Sequence, residues 1–234
     1  MSEDLQHEGL EWRDDAIPVS KRFDDPYFSI ANGLEETRHV FLGGNDLPRR
    51  FRPGFHIAEL GFGTGLNMLA TAICASQSGT EGPILFTSYE AFPLPTDDIA
   101  RALTAFPEAL AVAGPFLDAW AKGARQFDLG PLRVSVIEGD ARQALPRWGG
   151  RADAWFLDGF SPAKNPELWS DDLMQAVRDH TGPGGTFATY TAAGHVRRAL
   201  AAAGFTVERR PGFGRKRHMT AGWLDTPTAD DRDN

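Results

Sequence analysis

Short apolar runs and amphipathic stretches alternate along the chain from residue 55 onward. Apolar runs bounded by turn residues are typical of strands buried in a parallel sheet, whereas apolar residues at i, i+3, i+4 and i+7 are typical of helices. The predicted strands are Phe55–Leu60, Ile84–Glu90, Arg133–Asp140, Trp155–Asp158, Thr186–Tyr190 and a closing pair, Phe205–Arg210 and Lys216–Leu224, around the turn PGFG.

The helical stretches fall between these strands. Strands that alternate with helices predict an α/β fold with a doubly wound, mostly parallel sheet, and the closing pair predicts an antiparallel edge. Residues 1–50 are less periodic and are expected to form an N-terminal cap on a core of residues 51–225, with a disordered acidic tail at 226–234. The predicted helices begin at Leu66, span Asp97–Phe106 and Ala109–Trp120, follow Ser170 as N-cap, and span His195–Ala203.

A glycine-rich loop lies between the strand Phe55–Leu60 and the next helix. Gly61, Gly63 and Gly65 stand at alternate positions, and a strand–turn–helix context turns backbone N–H groups towards a ligand. The spacing differs from the G-x-G-x-x-G pattern that holds a pyrophosphate, and Glu59 precedes the loop. Because a carboxylate repels phosphate but attracts ammonium, the loop favours S-adenosylmethionine (SAM) over a dinucleotide. The alternative is a tight turn without a ligand.

Two further carboxylates end neighbouring strands and suit the same cofactor. Glu90 ends the second strand, at the position whose acid binds ribose hydroxyls in dinucleotide folds. Asp140 follows the third strand, where its carboxylate is placed to accept a hydrogen bond from an adenine amino group. Each has a simpler alternative: Glu90 as a solvated strand end, and Asp140 as the N-cap of a helix starting near Ala141.

The segment FLDGFSPAKNPELW, residues 156–169, places one acid at the end of a buried strand. Open α/β sheets bind ligands beyond the carboxyl ends of their strands, so Asp158 is predicted to face the ligand. Two prolines stiffen the loop that follows, and Gly159 lets backbone approach a ligand closely. Lys164 lies in this loop between two aromatic residues, Phe160 and Trp169.

Length and composition limit the classes of protein to which the chain can belong. The 234 residues suit one large α/β domain, and no apolar run reaches the roughly 18 residues of a membrane-spanning helix. One cysteine, scattered histidines and an acidic start without an apolar core predict a cytoplasmic protein without disulfides, zinc or a secretory signal. The net charge is −8, yet residues 195–218 hold seven arginines and lysines against one glutamate. That face is compatible with an RNA partner, although charge alone favours a merely solvated surface.

Five blocks of the sequence together resemble a bacterial family that methylates the wobble uridine of tRNA, the methyltransferase half of the bifunctional MnmC type. The blocks are PVSKRFDDPYFS at 18–29, NGLEETRHVFLGGN at 32–45, ELGFGTGLN at 59–67, AWFLDGFSPAKNPELW at 154–169 and GFGRKRHM at 212–219. Many methyltransferases share the glycine loop, whereas the Asp158 segment and GFGRKR are far more specific. The resemblance implies a Rossmann-like SAM-dependent methyltransferase sheet with a reversed last strand.

The activity that the resemblance implies is methylation of a 5-aminomethyl-(2-thio)uridine in tRNA to the 5-methylaminomethyl form. Asp158 would face both the methyl group and the substrate amine. The implied cofactor-binding residues are Glu59, Gly61, Phe62, Gly63, Thr64, Gly65, Asn67, Glu90, Asp140 and Asp158. The chain departs from the family at Ala91, where lysine is common, and at Tyr190 or His195, where phenylalanine is common.

The chain stops where the bifunctional enzyme continues into a flavin-dependent oxidase. We therefore expect a stand-alone methyltransferase that needs neither FAD nor a metal, with any oxidase of the same pathway encoded separately.

Contacts to tRNA are predicted from side-chain chemistry. Tyr27 and Phe160 would stack on the uracil ring, or pack only in the core. Lys164 would bind phosphate or brace its own loop. Arg215, Lys216 and Arg217 would bind the tRNA backbone, or pair with acids such as Asp24 or Glu35 and tie the cap to the core. The predicted substrate-binding residues are Tyr27, Phe160, Lys164, Asn165, Arg197, Arg215, Lys216 and Arg217.

Three rival functions make different demands on the sequence. An NAD-dependent oxidoreductase calls for a pyrophosphate loop without a preceding acid, which Glu59 opposes. An aminopropyltransferase or small-amine methyltransferase of the same fold calls for an acidic groove and no basic C-terminal stretch. A non-catalytic RNA-binding module has no need of intact loop glycines or of Asp158.

Overall fold

The structure of the protein is a computed structural model that describes residues 9–29 and 32–226. The predicted acidic tail lies outside the described residues except for Thr226, and so do the first eight residues of the acidic start. Within residues 9–29 and 32–226, no helix is long and apolar enough to span a membrane.

The N-terminal part of the chain forms a small antiparallel sheet followed by a short helix. The sheet contains β1 (Leu10–Arg13), β2 (Ile17–Ser20) and β3 (Asp25–Pro26). Asn32 is the N-cap of the helix α1 (Gly33–Thr37), and its side-chain Oδ1 accepts a hydrogen bond from the Glu35 N–H at 3.2 Å. A π-helical turn at Arg38–Gly43 follows this helix directly. These elements form the region predicted as a cap.

The remaining strands form one eight-stranded sheet, which confirms the predicted α/β fold. They are β4 (His56–Leu60), β5 (Ile84–Glu90), β6 (Gln126–Leu129), β7 (Leu132–Glu138), β8 (Ala152–Leu157), β9 (Thr181–Thr189), β10 (Thr206–Pro211) and β11 (His218–Trp223). Their order in the sheet is β10-β11-β9-β8-β4-β5-β7-β6. The five central strands are parallel, whereas β11 runs antiparallel to both of its neighbours, β9 and β10.

The sheet differs from the sequence prediction in three places. A hairpin of β6 and β7 forms the second edge of the sheet. The sequence did not predict β6, because the strand has only four residues and only one of them is buried. β9 begins at Thr181, which pairs with Ala152 of β8, and the stretch at residues 182–185 forms an irregularity in the pairing before it resumes at Thr186, where the predicted strand begins. The turn before β11 takes up Lys216 and Arg217, which were predicted to lie in a strand.

Helices cover both faces of the sheet. They are α2 (Leu66–Ser78), α3 (Thr96–Leu103), α4 (Pro107–Val112), α5 (Gly114–Ala121), α6 (Ala141–Ala144), α7 (Asp171–Asp179) and α8 (Gly194–Ala202), with 3₁₀ turns at Leu145–Arg147 and Pro166–Trp169. The helical stretch predicted over Ala109–Trp120 is divided at Pro115, which occupies the first turn of a new helix. Ser170 stands at the N-cap position of α7 as predicted, but its side chain makes no capping hydrogen bond.

Alternate side chains of each central strand enter different apolar clusters. On β8, Phe156 packs on one face of the sheet, whereas Trp155 and Leu157 pack on the other. All three are completely buried. This two-sided burial explains the continuous apolar run. The polar residues that follow the strands are therefore left together at the carboxyl edge.

Candidate active site

A cleft of about 840 Å³ opens at the carboxyl ends of β4, β5 and β8. Its walls come from the glycine loop after β4, the ends of β5 and β7, and the loop after β8. The cap region and the turn between β10 and β11 close the remaining sides. This volume is in the range of pockets that bury a cofactor-sized ligand.

The glycine loop has a backbone that side chains would disturb. Gly61, Gly63 and Gly65 have φ values of +90°, +55° and +75°, in the region that favours glycine. A Cβ on Gly61 would lie 2.9 Å from the Asp158 carbonyl oxygen, and one on Gly63 would lie 3.2 Å from the Tyr27 ring. Gly65 is the N-cap residue of α2. The loop thus brings backbone close to both the cleft and the neighbouring strand end.

Asn67 connects the two acids at the floor of the cleft. Its Nδ2 donates to Glu59 Oε1 and to Asp158 Oδ2, each at 2.8 Å, and its Oδ1 accepts from Thr37 Oγ1 at 2.8 Å. Glu59 is fully buried, and its other oxygen accepts from Ser88 Oγ at 2.6 Å. Burial is the main cause that raises the pKa of Glu59 well above its usual range. Glu59 is not among the residues described as lining the cleft, so its predicted contact with the cofactor stays a prediction.

Asp158 lies on the wall of the cleft at the end of β8. Its Oδ1 accepts from the Gly159 N–H at 2.9 Å, and its Oδ2 faces Asn67. Burial raises the pKa of this carboxyl to about 6, against the opposing effect of these two hydrogen bonds. At neutral pH Asp158 is therefore mostly a carboxylate, held in a polar pocket beside the glycine loop.

Glu90 and Asp140 both line the cleft but differ in their surroundings. Glu90 Oε2 accepts from the Gly63 N–H and Oε1 from the Phe92 N–H, each at 2.8 Å, while burial raises the pKa of the carboxyl. Asp140 accepts from the backbone N–H of Arg142 at 2.9 Å, as the N-cap of α6, and its hydrogen bonds with the Arg142 side chain lower its pKa. Asp140 thus has the capping role that was its alternative, and its contact with adenine is untested.

Aromatic residues join the cap region to the loop after β8. Phe23 stacks on Phe160 with ring centroids 4.6 Å apart, and Tyr27 meets the edge of Phe160 at 5.0 Å. Arg22 lies over the ring of Phe92, which is 43% exposed. All five residues line the cleft, so this aromatic wall is accessible to a planar ligand.

The predicted cationic contacts separate into two groups. Lys164 pairs with Asp24 and Asp25, and Lys216 Nζ pairs with Glu36 Oε1 at 2.7 Å. Both lysines therefore join core loops to the cap region. For Lys216 this is the alternative that the sequence left open, whereas for Lys164 the alternative to phosphate binding was to brace its own loop. A second group lies near His218, where desolvation and three nearby arginines lower the pKa of the imidazole. These arginines are Arg197, Arg209 and Arg217.

The cleft brings together thirteen of the predicted site residues. They are Tyr27, Gly61, Phe62, Gly63, Thr64, Asn67, Glu90, Asp140, Asp158, Phe160, Asn165, Arg215 and Lys216. The other five do not line the cleft: Glu59, Gly65, Lys164, Arg197 and Arg217.

Sequence reasoning missed several residues of the cleft as functional candidates, among them Glu36, Thr37 and Arg22. The first two follow the Asn32 cap of α1, whose N-cap signal was readable, but nothing local shows that this helix faces the end of β8. Among the described parts of the chain, no group of three or more His, Cys, Asp or Glu side chains is arranged to hold a metal ion.

The residues present fit SAM. A positive-φ glycine loop that a Cβ would crowd and a buried acid on the cleft wall at the end of β5 suit its amino-acid and ribose groups. Together with the reversed strand β11, this cleft places the protein in the class of SAM-dependent methyltransferases. Residues 107–225 match the S-adenosyl-L-methionine-dependent methyltransferase family, and the chain belongs to that family.

Relatives resemble nearly the whole chain. It is 46% identical to the tRNA 5-methylaminomethyl-2-thiouridine biosynthesis bifunctional protein MnmC of Leptospira borgpetersenii, over 91% of this chain and 34% of that protein. The protein of the same name from Chromobacterium violaceum is 46% identical, over 94% of this chain and 35% of its own length. This chain thus spans about a third of the length of these relatives.

A solved structure has the same fold. The crystal structure of MNMC2 from Aquifex aeolicus superposes with a TM-score of 0.75 at 26% identity, covering 94% of this chain and 72% of that one. The resemblance that the sequence motifs suggested, to the methyltransferase domain of the MnmC type, is thereby confirmed.

Proposed function

We propose that the protein is an N-methyltransferase that acts on the 5-aminomethyl group of a (2-thio)uridine at the wobble position of tRNA. The observation that carries the proposal is Asp158, a carboxylate on the cleft wall beside the glycine loop. The printed name of the relatives, a biosynthesis protein for 5-methylaminomethyl-2-thiouridine in tRNA, supports this choice of substrate.

The cofactor would be held at the glycine loop. When bound, SAM would supply the methyl group of its sulfonium to a neutral amine, with S-adenosyl-L-homocysteine as the leaving group. Glu90 is placed for the ribose hydroxyls, and Gly61, Gly63 and Gly65 leave room for the amino-acid end. Glu59 would act there by orienting Asn67.

Asp158 would bind and orient the substrate amine. An aminomethyl group is cationic near pH 7, and a carboxylate with a pKa of about 6 is ionised there and attracts it. Before the nitrogen can attack, the ammonium must lose one proton to expose its lone pair, and Asp158 would accept that proton or pass it to water; the methylated product is again a cationic ammonium. Orientation of the amine supplies a large part of the rate acceleration.

The remaining contacts would recognise the RNA. Bases displaced from an RNA loop commonly stack on aromatic side chains, and Tyr27 and Phe160 offer such a surface next to Asp158. The arginines near His218 are placed to bind backbone phosphates. The cytoplasm, where tRNA is modified, is the proposed compartment, and a flavin-dependent oxidase of the same pathway is the proposed partner.

The test is nucleoside mass analysis of tRNA incubated with the protein and SAM. The substrate is tRNA that carries the 5-aminomethyl group, and the expected product is the same nucleoside with one added methyl group. The control is tRNA lacking the 5-aminomethyl group. Methylation of polyamines but not of tRNA would favour a small-amine methyltransferase, and methylation of neither would defeat the proposal.

A further inference from the structure

Lys216 and Glu36 meet at the mouth of the cleft from distant parts of the chain. Lys216 lies in the turn between β10 and β11, and Glu36 lies on α1. The Glu36 side chain is only 10% exposed, and its Oε1 lies 2.7 Å from Lys216 Nζ. A nearly buried carboxylate needs a partner of opposite charge, so this ion pair holds the ammonium in place.

The ammonium is also held by an aromatic ring that leads to Asp158. Lys216 Nζ lies 4.3 Å from the centre of the Tyr190 ring, within the distance of a cation–π contact. The Tyr190 hydroxyl donates to the Gly159 carbonyl at 2.8 Å, and the Gly159 N–H donates to Asp158 Oδ1 at 2.9 Å. The ion pair with Glu36 and the contact with the Tyr190 ring therefore fix Lys216, and hydrogen bonds through Gly159 connect that ring to the carboxylate.

The surroundings of Asp158 make this single cation important. Glu36 on α1 adds negative charge near it, Asn67 on α2 and Gly159 add neutral hydrogen bonds, and Glu59 on β4, whose pKa burial raises, lies behind Asn67. Lys216 is the cation that favours the ionised form of Asp158, whereas Glu36 opposes it. Asp25 and the Tyr190 hydroxyl are further ionisable groups near this carboxylate, and Arg215 of the same turn also lines the cleft.

We propose that Lys216 is a positioning residue for the methyl-acceptor amine: fixed between Glu36 and the Tyr190 ring, its ammonium keeps Asp158 in the carboxylate form. The identity of the amine rests on the proposed function, but the charge relation between Lys216 and Asp158 does not. Lys216 then acts on the reacting group through Asp158 and is not a contact for tRNA phosphate, because its ammonium is already paired.

The direct test is titration of the Asp158 carboxyl by NMR in the protein without tRNA or SAM, with side-chain carboxyl carbons labelled. The Asp158→Asn variant identifies the resonance. Lys216→Met should move the midpoint to higher pH by on the order of one unit, because the favourable charge is lost. Glu36→Gln should move it to lower pH, because a neighbouring negative charge is lost.

Two controls separate charge from structure. Lys216→Arg keeps a cation and should keep the midpoint near that of the parent, and Arg217→Met removes the adjacent exposed cation and should leave the midpoint unchanged. A purely structural role would give Lys216→Met and Glu36→Gln the same direction of change, since both break one ion pair. Shifts in the same direction, or no shift in either variant, would overturn the proposal.

A second readout connects the inference to the reaction. Single-turnover methylation of 5-aminomethyl tRNA at saturating SAM should lose rate in Lys216→Met mainly below about pH 7, with recovery at higher pH as Asp158 ionises. A loss equal at every pH would contradict the positioning role. If the parent does not methylate tRNA, the proposed function fails, and opposite midpoint shifts would still support the relation between Lys216 and Asp158.

Discussion

Gly63 is constrained by its backbone and by its neighbours at once. Its φ of +55° suits glycine, its N–H donates to Glu90, and the Tyr27 ring lies over its Cα. A glycine that only permits a turn would show the first feature alone. The hydrogen bond to Glu90 and the closeness of Tyr27 indicate a position where the backbone lies directly against the ligand site.

We expect Gly63→Val to abolish SAM binding while the protein remains folded. The new side chain would enter the cleft and push against Tyr27. Gly79→Val is the matched control, because Gly79 has a φ of +70° at the end of α2 and nothing within 4 Å of a Cβ. Both variants carry a backbone cost of about 1–2 kcal/mol. Calorimetry with SAM should show loss of binding in Gly63→Val only, and equal binding in both would refute the assignment of the loop.

Asp158 makes folding stability depend on pH. Burial raises its pKa from an ordinary value of 3.8 to about 6, so the folded chain binds the proton more tightly than the unfolded chain does. The stability gained from the protonated group is complete below about pH 4 and is lost as pH rises through about 6. This difference in pKa corresponds to about 3 kcal/mol.

Asp158→Asn cannot titrate and should not show that loss. The melting temperature of the variant minus that of the parent should therefore be more positive at about pH 7.5 than at about pH 4.5. Glu90, whose pKa is also raised, is present in both proteins and cancels in the comparison. Loss of the Asp158 charge lowers the pKa of Glu59, which moves the difference in the same direction. Equal differences at the two pH values would mean that Asp158 has an ordinary pKa.

At the scale of elements, one arginine joins the end of the cap region to two core strands. Arg50 donates to the carbonyls of Asn45, Asp153 and Gly184 and to the Thr186 hydroxyl. Burial lowers the pKa of this guanidinium, which nevertheless stays charged. The side chain thus connects the segment after the π-helical turn with β8 and β9.

We expect Arg50→Met to lower the free energy of unfolding by about 3 kcal/mol, because four partly buried acceptors lose their donor. The neighbouring Arg49 is the control. Its side chain is 81% exposed and pairs only with Asp46, so Arg49→Met should change stability by less than about 1 kcal/mol. Denaturant unfolding of both variants tests this, and similar losses in the two would contradict the role of Arg50.

The net charge of the whole molecule opposes the binding of tRNA, whereas the arginines near His218 favour it. The net charge is −8, so binding requires local cations. Arg197, Arg209 and Arg217 lie near His218, and Arg197 Nε is buried without a hydrogen-bond partner within the described residues. Three arginines that are not needed for the cleft itself are suited to backbone phosphate.

Replacing Arg197, Arg209 and Arg217 by glutamine should weaken tRNA binding and reduce its dependence on salt. Each lost phosphate contact should lower the slope of log affinity against log salt by about 0.7–0.9. SAM affinity should be unchanged. Arg133→Gln is the control, because this exposed arginine lies on β7, near the opposite edge of the sheet. A triple variant that melts earlier but keeps the parental salt slope would show a structural role.

The features that depend on neighbouring residues along the chain could be predicted from the sequence alone. Apolar runs predicted the central strands, the glycine loop and Asp158 were placed at strand ends, and the motif blocks indicated the family. These are local signals, because periodicity and turn chemistry act within a few residues. Boundaries were less secure where tertiary pairing extended a strand beyond its local signal, as at the start of β9.

The tertiary structure alone decided which distant residues meet. It inserted β11 between β9 and β10, placed Glu59 behind Asn67, and brought Glu36 to Lys216 across 180 positions of sequence. No local pattern encodes such contacts, because they depend on the order of strands and on how the cap region packs against it. The ionisation of Asp158 is set by burial and by charges on other elements, and it therefore follows from the fold.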